Sequence, residues 1–282
     1  SALMAPVIVL LGQQNGLIVP LIAVHLFVFY FGIMADVTPP VGLASFAAAA
    51  VSGGDPLRTG FQAFYYSLRT AALPFLFIFN TDLLLIDVTV MQGILVFIVA
   101  TIAMLIFAAG TQGYMLTRNR WYESLLLLLV AFTLFRPGFW MDKIHDPYES
   151  VPPAQFAEAL GRVDDGSNLR VQIAGEDDFG APMTTYMLVP VPRGETGEER
   201  MANLGIELYE DGDQTLVDFV EFGSQAAELG FDFDQEILEV LAPVDRWTKE
   251  WMWLPALGIF GLVVVMQRRR RRREEANEVA AV

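Results

Sequence analysis

Apolar runs fall at residues 2–11, 18–34, 40–51, 61–79, 91–116, 121–140 and 251–266, separated by short polar or proline-containing stretches. The runs 61–79, 91–116, 121–140 and 251–266 are read as membrane spans, because a hydrocarbon core of ~30 Å takes about 20 apolar residues as a helix. The pattern over 24–51 is different. A helical apolar stretch breaks at Asp36-Val37-Thr38-Pro39-Pro40 and resumes at once as a run of small residues, Val41-Gly42-Leu43-Ala44-Ser45-Phe46-Ala47-Ala48-Ala49-Ala50. Pro39 and Pro40 supply no N–H, and each disfavours helical geometry in the residue before it, so the first helix must stop near Asp36. Proline is tolerated in a first helical turn, and Asp36 or Thr38 can cap its free N–H groups, so a second helix is expected from Pro40. At ~1.5 Å per residue the halves rise about 21 and 20 Å, and neither spans alone.

Two half-helices meeting at membrane depth leave carbonyls at one end and N–H groups at the other without lipid partners. Carbonyl ends suit a cation, and N–H ends suit an anionic group, the arrangement used at midplane sites of secondary transporters. A turn between two membrane-dipping helices is the alternative. Ionisable groups inside apolar segments are costly, which singles out Asp36, as ion ligand or helix cap, and His25, as a site residue or a satisfied interior histidine. Glu123, Arg136 and Asp87 lie near predicted boundaries and are read as snorkelling; Arg69 lies inside the 61–79 run.

Charge is segregated along the chain. Residues 142–249 carry 24 Asp and Glu against 7 Lys and Arg, in a protein whose formal net charge is −15 and whose mean hydropathy is +0.43. The chain therefore divides into a membrane region and an acidic soluble region. Six consecutive arginines at 268–273 follow the last apolar run, and Arg118 and Arg120 lie between the 91–116 and 121–140 runs. Both basic clusters are expected on the cytoplasmic side, which places 142–248 outside and the carboxy-terminus inside. The arginine run is also suited to anionic lipid; nucleic-acid binding is not expected beside a span. Ser1 leads directly into apolar sequence, as expected for the carboxy-terminal piece of a longer carrier.

After a polar linker at 146–153, short alternating runs at 169–173, 184–191 and 206–209 read as strands. A strand over 215–222, a Gly223-Ser224 turn, a short helix at 225–229 and a strand ending at Val240 follow. This order, with Gly-Ser-x-Ala before the helix and an Ile-x-x-Val strand after an acidic turn, resembles a PDZ domain over 203–240. The resemblance implies that Leu204, Gly205 and Ile206 form a peptide-carboxylate loop, with the peptide added as a strand beside 206–208. The bland alternative is a fold that packs against the carrier with its groove empty. Its acidic surface favours cations or basic partners over anionic peptides.

Catalytic readings find little support. There is no cysteine, and neither histidine belongs to a paired metal spacing. His-Glu-x-x-His, Gly-x-Ser-x-Gly and phosphate-cradling glycine loops are missing. Carboxylate pairs at Asp164-Asp165 and Asp177-Asp178 sit in polar loops, where solvation accounts for them. No enzyme, metal or cofactor is expected.

The ordered segments His25-Leu26-Phe27-Val28-Phe29-Tyr30-Phe31, Thr38-Pro39-Pro40-Val41-Gly42-Leu43-Ala44-Ser45-Phe46, Gly54-Asp55-Pro56 and Pro74-Phe75-Leu76-Phe77-Ile78-Phe79-Asn80 resemble the large membrane subunit of tripartite ATP-independent periplasmic (TRAP) transporters, in its fused-permease form. The resemblance covers about 1–85; the remainder is similar to an extension found on some fused permeases. The family implies a sodium-coupled carrier in a bacterial or archaeal inner membrane, supplied by a periplasmic solute-binding protein and importing organic acids or related solutes. On that resemblance Thr38, Pro39, Pro40 and Gly42 match the broken segment at the sodium and substrate region, with Asp36 and Ser45 as neighbours. Asn80-Thr81-Asp82 departs from the family's commoner Asn-Pro-Ala. The other repeat, with its own broken helix, is part of the remainder of the permease.

The expected fold is thus a membrane all-α region, a broken-helix carrier fragment plus additional spans, with a small external β-rich α+β PDZ-like domain. The expected divisions are 1–85 carrier, 86–141 two spans, 142–248 external domain, 249–267 last span and 268–282 basic tail. A membrane-anchored interaction module that recruits a partner through the external domain is the competing function.

Overall fold

The computed structural model describes residues 2–86, 88–176 and 181–280, and the side chains of Arg69, Glu176 and 278–280 are not described. Asp87 and the Asp177-Asp178 pair lie outside the described residues. The chain forms two units, Pro20–Ile144 with Trp247–Val282, and Leu3–Val19 with His145–Arg246.

In chain order the helices are α1 (Met4–Gln14), α2 (Leu21–Met34), α3 (Leu43–Ser52), α4 (Pro56–Phe79), α5 (Val90–Gln112), α6 (Trp121–Phe135), α7 (Gly138–Ile144), α8 (Phe156–Arg162), α9 (Gly197–Leu204), α10 (Gln225–Leu229) and α11 (Trp253–Ala280). The strands are β1 (Tyr148–Val151), β2 (Asn168–Glu176), β3 (Pro182–Pro190), β4 (Ile206–Asp211), β5 (Gln214–Val220) and β6 (Glu236–Pro243).

In the helical unit, α5, α6 and α11 share a core of Ala103, Ile106, Leu127, Val130, Leu134, Ala256 and Val263. Thr89 and Gln92 form a reciprocal capping box that starts α5. Gly110 lets α5 and α6 approach closely, since a Cβ there would lie 3.2 Å from the Leu128 side chain and 3.3 Å from the Ser124 carbonyl. By length and hydropathy α5 and the segment Lys249–Asn277 can each cross a membrane, and α6 with α7 is a third candidate, bent by 83°. The expected straight span over 121–140 is therefore corrected. Pro137 stops α6 at Phe135, and the chain turns before restarting at Gly138.

Helix α4 has the length to span, but Gln62, Ser67 and Arg69 keep it out of the spans defined by hydropathy, so it needs protein neighbours on its polar side. α2 supplies one neighbour through aromatic pairs. Phe27 and Phe31 both meet Phe75 edge-on, at 5.3 and 5.6 Å between ring centroids, and Tyr30 meets Phe77 at 5.8 Å. Past the span, α11 continues through the arginine run as helix.

The second unit is a six-stranded antiparallel sheet in the order β3-β2-β6-β5-β4. β5 pairs only with the start of β6, at Ile237 and Glu236, and β1 pairs with its later part from Val240 to Pro243. The stretch read as a linker thus contains a strand, because half of one edge of β6 is left open by β5. Leu160, Leu169, Val171, Val189, Leu204, Ile206, Val217 and Val240 are fully or almost fully buried in its core. Two helices unread in the sequence, α8 and α9, cover this core. They touch where Gly197 faces Ala157, leaving no room for a Cβ, and the buried Arg200 donates to the carbonyls of Leu160 and Val163. The apolar α1 packs on β3 in this unit, with Gln14 Nε2 donating to Met183 Sδ.

Candidate transport site

Helix α2 ends by tightening. Ala35 N–H still reaches Phe31 O at 3.2 Å, but Asp36, Val37 and Thr38 donate three residues back, to Ile33, Met34 and Ala35. Thr38 Oγ1 donates to Met34 O at 2.7 Å and occupies one more carbonyl of the last turn.

The chain then passes Pro39 and Pro40, joined by a cis peptide bond, and α3 starts at Leu43 instead of Pro40. Gly42 precedes it with φ +41°, a left-handed conformation that favours glycine. Neither Asp36 nor Thr38 caps α3 through its side chain. The capping is done by the Asp36 main-chain carbonyl, which accepts from Ala44 N–H at 3.0 Å. Ser45 adds a second tie across the break, its Oγ donating to Val37 O at 3.3 Å.

The consequence is chemical. With its backbone carbonyl engaged, Asp36 keeps an exposed carboxylate between two helix ends, two residues before Thr38. A carboxylate and a hydroxyl are hard oxygen donors, the kind that suits a small cation.

Gly60, unread as a site residue in the sequence, fixes the neighbour of this break. A Cβ at Gly60 would lie 3.0 Å from Pro39 Cγ and 3.8 Å from Ser45 Cβ, so its absence lets α4 rest on the proline turn. The only signal for it in the sequence is a glycine inside an amphipathic helical pattern. Asp55 starts α4 by accepting from Arg58 N–H at 2.8 Å, with Pro56 in the first turn, and Gly53 ends α3 with φ +71°. The turn Gly53-Gly54-Asp55 is therefore a cap junction.

The structure gathers Asp36, Thr38, Pro39, Pro40, Gly42 and Ser45 at the break but leaves His25 apart. His25 lies nine residues before the end of α2, about 14 Å along the helix axis, and is half-buried.

Leu204, Gly205 and Ile206 sit where α9 runs into β4. Leu204 and Ile206 are buried in the sheet core. Gly205, at φ +79°, closes α9 with its N–H directed at Met201 and Ala202 carbonyls, and its own carbonyl accepts from Glu221 N–H. A Cβ at Gly205 would collide with the Ser224 side chain. Beside this loop β4 ends the sheet path, paired with β5 alone among the described residues. The acidic surface is felt by Tyr209, whose hydroxyl donates to Asp234 at 2.9 Å; that bond, reinforced by carboxylates at Asp211 and Asp218, raises its pKa.

A polar knot at one end of the helical bundle was also unread. Glu123 is not snorkelling but fully buried, and both its oxygens accept from the Arg270 guanidinium at 2.9 Å. The buried Gln267 donates to Glu123 and Asn119 and accepts from the backbone N–H of Leu116 and Thr117. The signal was a capping pattern, Glu123 three residues after Arg120; its partner lies 147 residues away in sequence. Among the described residues no His, Cys, Asp and Glu cluster suited to a metal ion occurs.

A helical unit with membrane-length apolar helices and a broken apolar helix has the layout of a membrane protein. The chain belongs to the family described as a domain of unknown function, DUF3394, which matches residues 93–273. Residues 1–91 match the DctM component of the tripartite ATP-independent periplasmic transporters, a non-enzymatic inner-membrane permease, and this match indicates a TRAP-type transporter component. No curated protein and no solved structure matches the chain.

Proposed function

We propose that this chain forms part of a sodium-coupled TRAP importer of organic acids or related anionic solutes, delivered by a periplasmic solute-binding protein. Its break supplies half of the ion and substrate site. The observation carrying this reading is the pairing of the α2 and α3 ends by Asp36 O with Ala44 N–H, while the Asp36 carboxylate stays exposed at the break. Sodium takes the oxygen donors, and the remainder of the permease contributes the opposing half. In this reading 142–248 is external and the arginine-rich end is cytoplasmic, as the two basic clusters demand.

The test is uptake by the full-length transporter carrying Asp36→Ala with Thr38→Ala. Uptake falls at least about tenfold at fixed sodium, and the sodium needed for half-maximal rate rises, with folded protein unchanged. Unchanged uptake with an unchanged sodium requirement removes the assignment.

A second reading rests on β4. As the last strand of the sheet path it offers backbone groups for strand addition, which favours a PDZ-like recruiting role for the sheet domain, with Leu204 to Ile206 at the start of the groove. Deleting the sheet domain then abolishes docking of the binding protein while leaving the helical unit folded.

A further inference from the structure

The amino end of α6 and the arginine run of α11 line an open cavity of about 340 Å³, separate from the broken helix. Its floor is the Glu123–Arg270 pair, in which the bidentate bond cancels the one buried carboxylate. Arg120, Arg269 and Arg273 line the walls. Among the described residues no ion pair joins Arg269 or Arg273 to a carboxylate; Glu274 and Glu275 line another cavity with Arg118 and Arg271, although Glu274 is near enough to act on the Arg120 charge.

Arg120 Nη1 donates to the Tyr122 hydroxyl at 3.0 Å, which fixes both groups at the rim. The cavity sits beside apolar surface. Met266 lines it, Trp121 is 79% exposed, and Leu262 and Val265 are exposed on α11 one turn before it. Unpaired guanidiniums above an apolar belt match an amphiphilic anion: phosphate against the arginines and acyl chains along the helices. A free phosphate would have no use for the apolar side.

We propose that this cavity binds the phosphate headgroup of an anionic phospholipid, with Arg120, Arg269 and Arg273 as its ligands and Tyr122 bracing Arg120. Arg270 is excluded from the ligand set because Glu123 and Thr117 occupy it. The site is distinct from diffuse attraction by a polybasic segment, since Arg268 and Arg272 carry equal charge on the same helix but do not line the cavity.

That distinction sets the experiment. The full chain in neutral detergent is titrated with phosphatidylglycerol, phosphatidylcholine and inorganic phosphate, comparing Arg269→Ala/Arg273→Ala with Arg268→Ala/Arg272→Ala. Phosphatidylglycerol binds the unaltered protein more tightly than phosphatidylcholine. At about fivefold per arginine, the cavity pair loses roughly 25-fold in affinity, and the control pair loses several-fold less. Equal losses in the two variants, or no preference over phosphatidylcholine, overturns the proposal. Binding of inorganic phosphate as tight as that of the lipid overturns the lipid assignment. Arg269→Lys/Arg273→Lys, which keeps charge but not the planar fork, binds at an intermediate level. That variant also separates loss of the site from loss of the fold.

Discussion

Two apolar helices in this chain are interrupted by proline, and their ends are treated differently. At Phe135 the free carbonyl of α6 accepts from Asn80 Nδ2 at 2.7 Å, and Arg136 lies over the Phe79 ring at 4.4 Å and the Phe139 ring at 5.6 Å. Trp140 closes the bend by donating to Thr133 at 3.0 Å, and Lys249 pairs with Asp82 nearby. Side chains from α4, α6, α7 and the turn before α11 thus seal this interruption. At 35–42 the ends are tied mainly by the segment's own backbone, Asp36 and Val41 are exposed, and α4 meets the turn at Gly60. A proline break in an apolar helix is therefore not itself a transport site. What sets apart the break at 35–42, where we propose the site, is an exposed carboxylate that no neighbouring helix has been shown to occupy among the described residues.

Gly60 separates the two interruptions most strongly. Gly60→Leu drives a side chain into the Pro39 ring, which cannot rotate away, and costs about 3 kcal/mol of stability in the helical unit. Uptake by the full-length transporter is lost beyond what the fall in folded protein accounts for, because the turn carrying Asp36 and Thr38 moves. Measured together, melting and uptake per folded molecule decide the matter. If uptake per folded molecule is preserved, α4 does not position the break.

At the sealed interruption the outcome reverses. Asn80→Leu leaves the Phe135 carbonyl without its partner and costs about 2 kcal/mol, seen as a lower melting temperature. Uptake then falls only in proportion to folded protein, and the sodium requirement stays unchanged. A shift in sodium requirement would place the second interruption at the transport site and erase the contrast.

The difference between the two interruptions was only partly legible in the sequence. Proline chemistry located the end of α2 within two residues, and alternation located β2 to β5 within a few. What failed was partner identity. The sequence pattern placed α3 at Pro40, since proline suits a first turn, but a glycine at positive φ postponed the start to Leu43. Arg136-Pro137 lay inside an apolar run and was read through, although the same proline argument applied there. Glu123 looked like a boundary charge because its partners, Gln267 and Arg270, lie on the last helix. Strand β1 and helix α9 were missed for a related reason. Tyr148–Val151 is short and becomes a strand only beside β6, while α9 is largely polar and is held by Thr196 accepting from Glu199 N–H and by the buried Arg200. Local patterns reveal where a helix stops; they do not reveal what satisfies its end.

Ser45 offers the finest division of the open break. It is only 3% exposed, and its hydroxyl is directed at Val37 O at 3.3 Å, so it ties the two half-helices together from behind while Asp36 and Thr38 lie nearer the surface. Ser45→Ala removes one long neutral hydrogen bond and costs about 1 kcal/mol or less. The maximal uptake rate declines modestly as the ends loosen, but half-maximal sodium remains that of the unaltered protein, in contrast to Asp36→Ala with Thr38→Ala. The measurement is a sodium titration of uptake normalised to folded protein. A sodium shift as large as the double variant's would make the Ser45 hydroxyl a ligand and extend the donor set behind the break, whereas an unchanged titration leaves the ligands at Asp36 and Thr38 and Ser45 as the strut that holds them.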